Sequence, residues 1–283
     1  MRGRLTLGTG AAMVAVRDRP SPIPVFPAMS ESVPASARPL ARKLRAAFGS
    51  GVTEGSSIDQ EPEFRALLGA LRPGRMIEIG TRHGVSAALF AEYAEVVTTI
   101  DIALSPESYR EWTRKVWAEA GTADRIRPFL AAGSTGKECN ASKAAFLREQ
   151  EFDFAFIDGS HITREVVFDF DCLKRCGCIL FHDYKPEGGE FSDCPNERYP
   201  GIAAFIDSLA PRAYLIGRKC SQMALWVAED HPCRKNPATM AFLESLARPA
   251  RSPFAARLDL FRLRVGGMLR RIGRSAGKRM GAG

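Results

Sequence analysis

A stretch of 16 residues, Arg75 to Phe90 (RMIEIGTRHGVSAALF), constrains this chain more than any other. Its apolar run stops at Gly80 and resumes with helical spacing, which predicts strand 76–80, a tight glycine turn and helix 84–94. Gly80 permits a sharp turn where a side chain would collide, and Gly84 lets the first helical turn approach whatever lies on the loop. The unpaired N–H groups at that helix start favour an anionic group, a carboxylate as readily as a phosphate.

A dinucleotide pyrophosphate calls for G-x-G-x-x-G, but here Thr81 and Arg82 follow the first glycine and the next glycine comes four residues on. Glu78 adds a carboxylate that repels a diphosphate and tolerates an ammonium or sulfonium group. The following apolar run, Val96 to Ile100, ends at Asp101, 21 residues after Gly80, where an acidic side chain accepts hydrogen bonds from ribose hydroxyls. The implied ligand has a ribose and a zwitterion.

Around this stretch, helical and extended patterns alternate. Helix 61–71 ends at Pro73-Gly74. Strands follow at 76–80, 96–101, 125–130, 152–158 and 178–183, separated by helices 84–94, 106–120, 141–150 and 162–175. Such alternation predicts an α/β fold, a doubly wound, mostly parallel sheet with helices on both faces. Helix 201–209 then precedes strands 213–217 and 222–229, whose short link, Arg218 to Ser221, makes them antiparallel. Lys185 to Pro200 is too long and too rich in Pro and Gly for an ordinary connection, and is expected to be a functional lid or disordered.

At this point the residues resemble the class I S-adenosylmethionine (SAM) methyltransferases. The resemblance rests on Glu78 with Gly80, then Asp101, then Asp158 to His161 in FDFAFIDGSH, then His182 and Asp183 in ILFHDY. These are similar to the bacterial branch with strand ends Ile-Asp-Gly-x-His and His-Asp-Tyr, over roughly residues 58 to 229. The resemblance implies a Rossmann-like seven-stranded sheet with an antiparallel last strand. It implies SAM held by Glu78, Gly80, Thr81, Gly84, Ser86, Asp101, Ser134 and Asp158, with Ser134 at the adenine edge and Gln60 or Glu63 within reach of the ligand. It also implies O-methylation of a small molecule or a sugar hydroxyl.

A hydroxyl acceptor needs a base or a metal. His161 and His182 have side-chain pKa values suited to neutral pH, so either is a candidate base. Asp158 and Asp183 can orient that histidine, or can instead hold Mg2+ between adjacent strand ends. Two rival classes stand beside this reading. One is a nicotinamide-dependent oxidoreductase, which would need the missing middle glycine, and the other a non-catalytic SAM-binding protein tethered by its basic ends.

The formal net charge of +8 is unevenly spread. Residues 248–283 hold ten Lys/Arg against one acid, Asp259, and residues 1–46 hold eight against Asp18 and Glu31, so the body between them is acidic. This divides the chain into 1–46, a Pro-rich disordered leader with a short basic helix at 39–48; 47–247, the methyltransferase domain; and 248–283, a basic tail. In that tail Phe254, Leu258, Phe261, Val265, Met268, Leu269 and Ile272 share one helical face. An anionic membrane surface is a candidate partner for it, as is a second subunit, while nucleic acid is disfavoured by the acidic body. Seven cysteines, an odd number in a chain this large, do not form a disulfide framework. The spacing of Cys172, Cys176 and Cys178 is not that of a structural zinc site, so they are expected to pack as small apolar residues. A reducing cytoplasm follows, with peripheral membrane association as an option.

Overall fold

The computed structural model describes residues 39–54, 56–132, 136–160, 162–182, 184, 201–216 and 223–246. The leader, the expected lid at 185–200, the basic tail, and Ser134, His161 and Asp183 lie outside the described residues.

The elements, in chain order, are α1 (Pro39–Phe48), α2 (Glu61–Leu71), β1 (Arg75–Ile79), α3 (Val85–Phe90), β2 (Val96–Ile100), α4 (Glu107–Ala120), β3 (Ile126–Phe129), α5 (Gly136–Glu149), β4 (Phe154–Ile157), α6 (Thr163–Leu173), β5 (Cys178–Phe181), α7 (Ile202–Asp207), β6 (Tyr214–Ile216), β7 (Met223–Val227) and α8 (Pro237–Leu246). The strands form a seven-stranded sheet in the order β3-β2-β1-β4-β5-β7-β6. Pairing is parallel from β3 through β5, and β7 runs antiparallel to both β5 and β6. This is the mostly parallel sheet expected from the alternating pattern, in the Rossmann-like seven-stranded form that the resemblance implies. The order reverses at β1, which puts the β1 and β4 carboxyl ends at the switch point where such sheets bind ligands.

Central strands buried on both faces read as continuous apolar runs, and β4 and β5 are buried at every residue. Side-chain parity then sorts the core into two clusters. Met76, Phe154, Phe156 and Leu180 join residues of α1 to α4 and Leu243 of α8. Ile77, Ile79, Ala155, Ile157 and Phe181 join residues of α5, α6 and α7. Among the described residues, no helix is long and apolar enough to cross a membrane.

Several boundaries differ from the sequence pattern. Helix 84–94 shortens to Val85–Phe90, because the Glu95 and Val96 N–H groups both bond Gly74 O and draw the chain into β2. A helix this short has little dipole of its own, so the loop amides rather than a long helix axis face any ligand. Helix 141–150 begins earlier, at Gly136, despite poor helix formers; tertiary contacts hold it, including Asn140 to Glu165 and the Lys143–Asp169 ion pair at 2.5 Å. The boundary drawn at 46/47 falls inside α1, whose Leu40, Ala41 and Leu44 belong to the main core cluster. Cys172 and Cys178 are buried among apolar side chains, as their spacing suggested.

Candidate active site

At the end of β1 the chain turns at Gly80, with φ 102°, and at Gly84, with φ 77°. A Cβ on Gly80 would lie 2.2 Å from the carbonyl oxygen of Asp158, so only glycine fits between the β1 and β4 ends. Gly84 is held from the other side: the Trp117 indole N–H donates to its carbonyl at 2.9 Å, and a Cβ there would meet the same nitrogen at 2.4 Å. Between them Arg82 also has positive φ, 42°, and its N–H donates to Asp101 Oδ2 at 2.7 Å. The loop and the β2 end are thereby fixed to each other.

Backbone hydrogen bonds extend the sheet past the strand ends. Gly80 N–H donates to Ile100 O, Asp158 N–H to Ile79 O, and His182 N–H to Ile157 O. These continue the ladder and carry Gly80, Asp158 and His182 onto one rim. There the His182 imidazole Nδ1 lies 3.0 Å from Asp158 Oδ1, with both side chains mostly buried.

Glu78 sits beneath this rim with no exposed surface. In register it faces Thr99 of β2 and Phe156 of β4. Its carboxyl oxygens accept from Ser86 Oγ at 2.5 Å and Thr99 Oγ1 at 2.6 Å, and the Thr81 and Thr99 hydroxyls are in contact. Burial pushes its pKa up to about 8; the two hydroxyl bonds oppose that rise, and the negative fields of Asp158 and Asp101 reinforce it. Thus Glu78, Thr81 and Ser86, expected to surround the ligand, form one buried network under the loop.

The expected residues Glu78, Gly80, Thr81, Gly84, Ser86, Asp101, Asp158 and His182 converge on one site. Gln60, at the start of α2, has a buried side-chain oxygen with no hydrogen-bond partner. Among the described residues, no three His, Cys, Asp or Glu side chains are grouped to hold a metal. Asp158, one expected Mg2+ ligand, is paired with His182, and the other, Asp183, lies outside the described residues.

Sequence reasoning missed four participants. Thr99 was one of two adjacent threonines in β2, and only strand parity, which puts it level with Glu78 rather than Thr98, singles it out. Tyr109 of α4 lies beside His83, ring centroids 6.2 Å apart, and its pKa is raised by burial and then by the field of Asp101. Ile102 and Leu130, directly beyond β2 and β3, are 81% and 46% exposed, leaving apolar surface beside Asp101. No periodicity identifies an isoleucine left in solvent.

Residues 77–184 match the family model described as a methyltransferase domain. The match runs from inside β1 to the residue after the expected His-Asp pair, so it contains the whole rim described above. The segment thus matches a methyltransferase domain and lies on a sheet of Rossmann-like order. Among solved structures, a cofactor-bound protein from MTB is similar at 21% identity and TM-score 0.48, over 71% of this chain and 92% of that one. An O-methyltransferase from Bacillus cereus in complex with S-adenosylhomocysteine (SAH) gives 19%, 0.46, 66% and 90% for the same four measures. The O-methyltransferase TomG from Streptomyces achromogenes, involved in tomaymycin synthesis and solved with SAM, gives 17%, 0.44, 67% and 88%. No curated protein matches the sequence.

Proposed function

We propose that the chain transfers the methyl group of SAM to a hydroxyl oxygen of a small molecule or sugar, with His182 as the general base. The observation that carries this reading is the His182–Asp158 pair at the β4 and β5 ends. Donating Nδ1–H to Asp158 selects the tautomer whose Nε2 bears the lone pair, and the carboxylate stabilises the imidazolium formed when Nε2 takes the acceptor proton. Bound SAM supplies a methyl group already activated on a sulfonium. The protein's part is to align the acceptor oxygen with it and to remove that oxygen's proton.

For the cofactor, Asp101 is proposed to accept from the ribose hydroxyls, the loop from Gly80 to Gly84 to carry the amino-acid end, and Ile102 and Leu130 to flank the adenine. Asp101 and Asp158, with the acid Glu78 beneath them, favour a cationic nucleoside over a pyrophosphate, which argues against the nicotinamide alternative. Outside this site, the basic tail is proposed to bind anionic membrane, which sedimentation of full-length and truncated protein with anionic vesicles tests.

The direct experiment is mass spectrometry of the purified protein for co-bound SAM or SAH, followed by a methyl-transfer screen over phenolic and glycoside acceptors. Recovery of either nucleoside and methylation that fails in His182→Ala supports the reading. Co-purified NAD, or full activity in His182→Ala, overturns it.

A further inference from the structure

The buried carboxyl of Glu78 has an arrangement that methyl transfer alone does not require. Among the described residues it is bonded by two hydroxyls and by no basic side chain. An ionised carboxylate in such a place is costly unless a positive charge accompanies it. The surrounding groups supply the opposite sign. From β2 come Thr99 and then Asp101, from β4 Phe156 and then Asp158, and from α3 the neutral Ser86. Phe156 packs edge to face with Phe64 and Phe90 and adds only apolar surface. Arg82 and His83 lie on the loop above, and His182 is engaged with Asp158.

The hydroxyls accommodate either charge state. With Glu78 ionised, Ser86 and Thr99 both donate to it, and Thr81 donates to Thr99. With Glu78 protonated, its O–H donates to Thr99, which donates to Thr81 in turn. Reversing these rotors keeps Glu78, Thr99 and Ser86 paired, because a hydroxyl both donates and accepts, and turns the Thr81 O–H out of the network toward the loop. The chain Glu78–Thr99–Thr81 also ends at the first residue after Gly80, giving a proton a path to the loop.

We propose, on the reading that this site binds SAM, that Glu78 distinguishes substrate from product by charge: it releases its proton when the sulfonium of SAM enters and regains it when the neutral thioether SAH is left. SAM and SAH share the ammonium, the carboxylate and the nucleoside, and differ by one positive charge. That charge enters a field of three acids, where it offsets the cost of ionising Glu78. Once the methyl group has left, the offset is gone, Glu78 takes up a proton, and SAH is held less tightly than SAM. The pKa of about 8 in the absence of ligand puts this exchange in the physiological range. Below that pH, SAM binding must expel a proton, so its affinity rises with pH and levels off above it.

Isothermal titration of the full chain with SAM and with SAH, at pH 7.0 in phosphate and in Tris, counts the protons released from the difference in apparent enthalpy. SAM is expected to release close to one proton and SAH less than half of one. Between pH 6.5 and 8.5 the affinity ratio of SAM to SAH is expected to rise at least about tenfold, the titration of the shared amino group cancelling in the ratio. In Glu78→Gln the ratio is expected to be flat. Thr99→Val, which removes one hydroxyl and keeps the carboxyl, should move the midpoint and retain the rise. Equal proton release by the two ligands, a flat ratio in the wild type, or an unchanged rise in Glu78→Gln overturns the proposal while leaving SAM binding intact. Failure of either ligand to bind would overturn the SAM reading itself.

Discussion

The N–H of Arg82 donates to Asp101 Oδ2 across 2.7 Å, so the acid at the end of β2 is fastened to the middle of the glycine loop. A ligand that uses Asp101 therefore also feels the loop conformation. Asp101→Ala removes the loop tether and the proposed ribose acceptor together. Charge-assisted bonds contribute about 1.5–3 kcal/mol each, so SAM affinity should fall at least about tenfold by calorimetry. Asp101→Asn keeps one acceptor oxygen and should lose less. Unchanged affinity in the alanine variant would remove Asp101 from the site.

Gly84 and Trp117 make a pair whose costs should not add. Gly84→Ala forces a Cβ to within 2.4 Å of the indole nitrogen at a φ of 77°, which costs roughly 1–2 kcal/mol from the left-handed backbone alone. Trp117→Phe removes the donor to Gly84 O, about 1–3 kcal/mol. The double variant should be less destabilised than the sum, because phenylalanine has no nitrogen at the clash. Denaturant melts of all four proteins give the coupling energy, and strict additivity would contradict the contact.

His182→Ala should lower turnover by about 10²–10⁴-fold while SAM affinity changes little. Asp158→Asn should also lower turnover, through loss of the preferred tautomer. Chelation by EDTA separates base from metal: turnover that survives EDTA and fails in His182→Ala sets aside the role of Asp158 and Asp183 in holding Mg2+. Turnover lost to EDTA and kept by His182→Ala would do the reverse.

Glu61 is fully buried, and its carboxylate accepts from the Leu40 and Ala41 N–H groups at 3.1 and 3.2 Å, capping α1, while Arg65 contacts it at 2.7 Å. Arg65 also reaches Glu92 at 2.6 Å, so it keeps one partner when Glu61 is removed. Glu61→Ala is expected to cost about 3 kcal/mol, near the lower end for breaking a buried ion pair. Limited proteolysis should then cut first near α1. A thermal midpoint within a degree of wild type would contradict the cap.

The raised pKa of Glu78 has a sign in folding as well. Its folded value of about 8 exceeds the ordinary carboxyl value of 4.5, so the folded state holds this proton where the unfolded chain does not. Its contribution is fully present below pH 4.5 and is lost as pH rises through 8. Ligand-free protein should lose stability over this window relative to Glu78→Gln, measured by urea denaturation at matched ionic strength. Parallel pH profiles for the two would place the proton elsewhere.

Much of this architecture is legible from short-range pattern. Gly80, Asp101, Asp158 and His182 stand at strand ends and Gly84 at a helix start, where apolar periodicity reveals position without any knowledge of contacts. Glu78 was legible as an acid in the wrong place for a diphosphate. What the pattern could not convey is partnership. That Glu61 caps a helix about 20 residues upstream, or that Trp117 holds Gly84 from 33 residues downstream, depends on packing that leaves no periodic trace. The start of α5 was missed for a related reason, since tertiary contacts hold it, whereas α8 carried local signals that went unread: Asn236 caps it, Pro237 opens it, and Ala, Met, Leu and Glu fill it.

The alternation of side chains along β1 also has a consequence for how this protein can change. Met76 and Glu78 face α1 to α4, while Ile77 and Ile79 face α5 to α7, so the sheet is a partition between two independently packed compartments. The aromatic group of Phe170, Phe181, Phe205 and Trp226 lies wholly behind it. Substitutions there alter how firmly the molecule is built without reaching the Phe64, Phe90 and Phe156 group in front, against which the Glu78 network rests. The rear compartment is where such a chain can drift, or be engineered for heat resistance, while the electrostatics of its front are left alone.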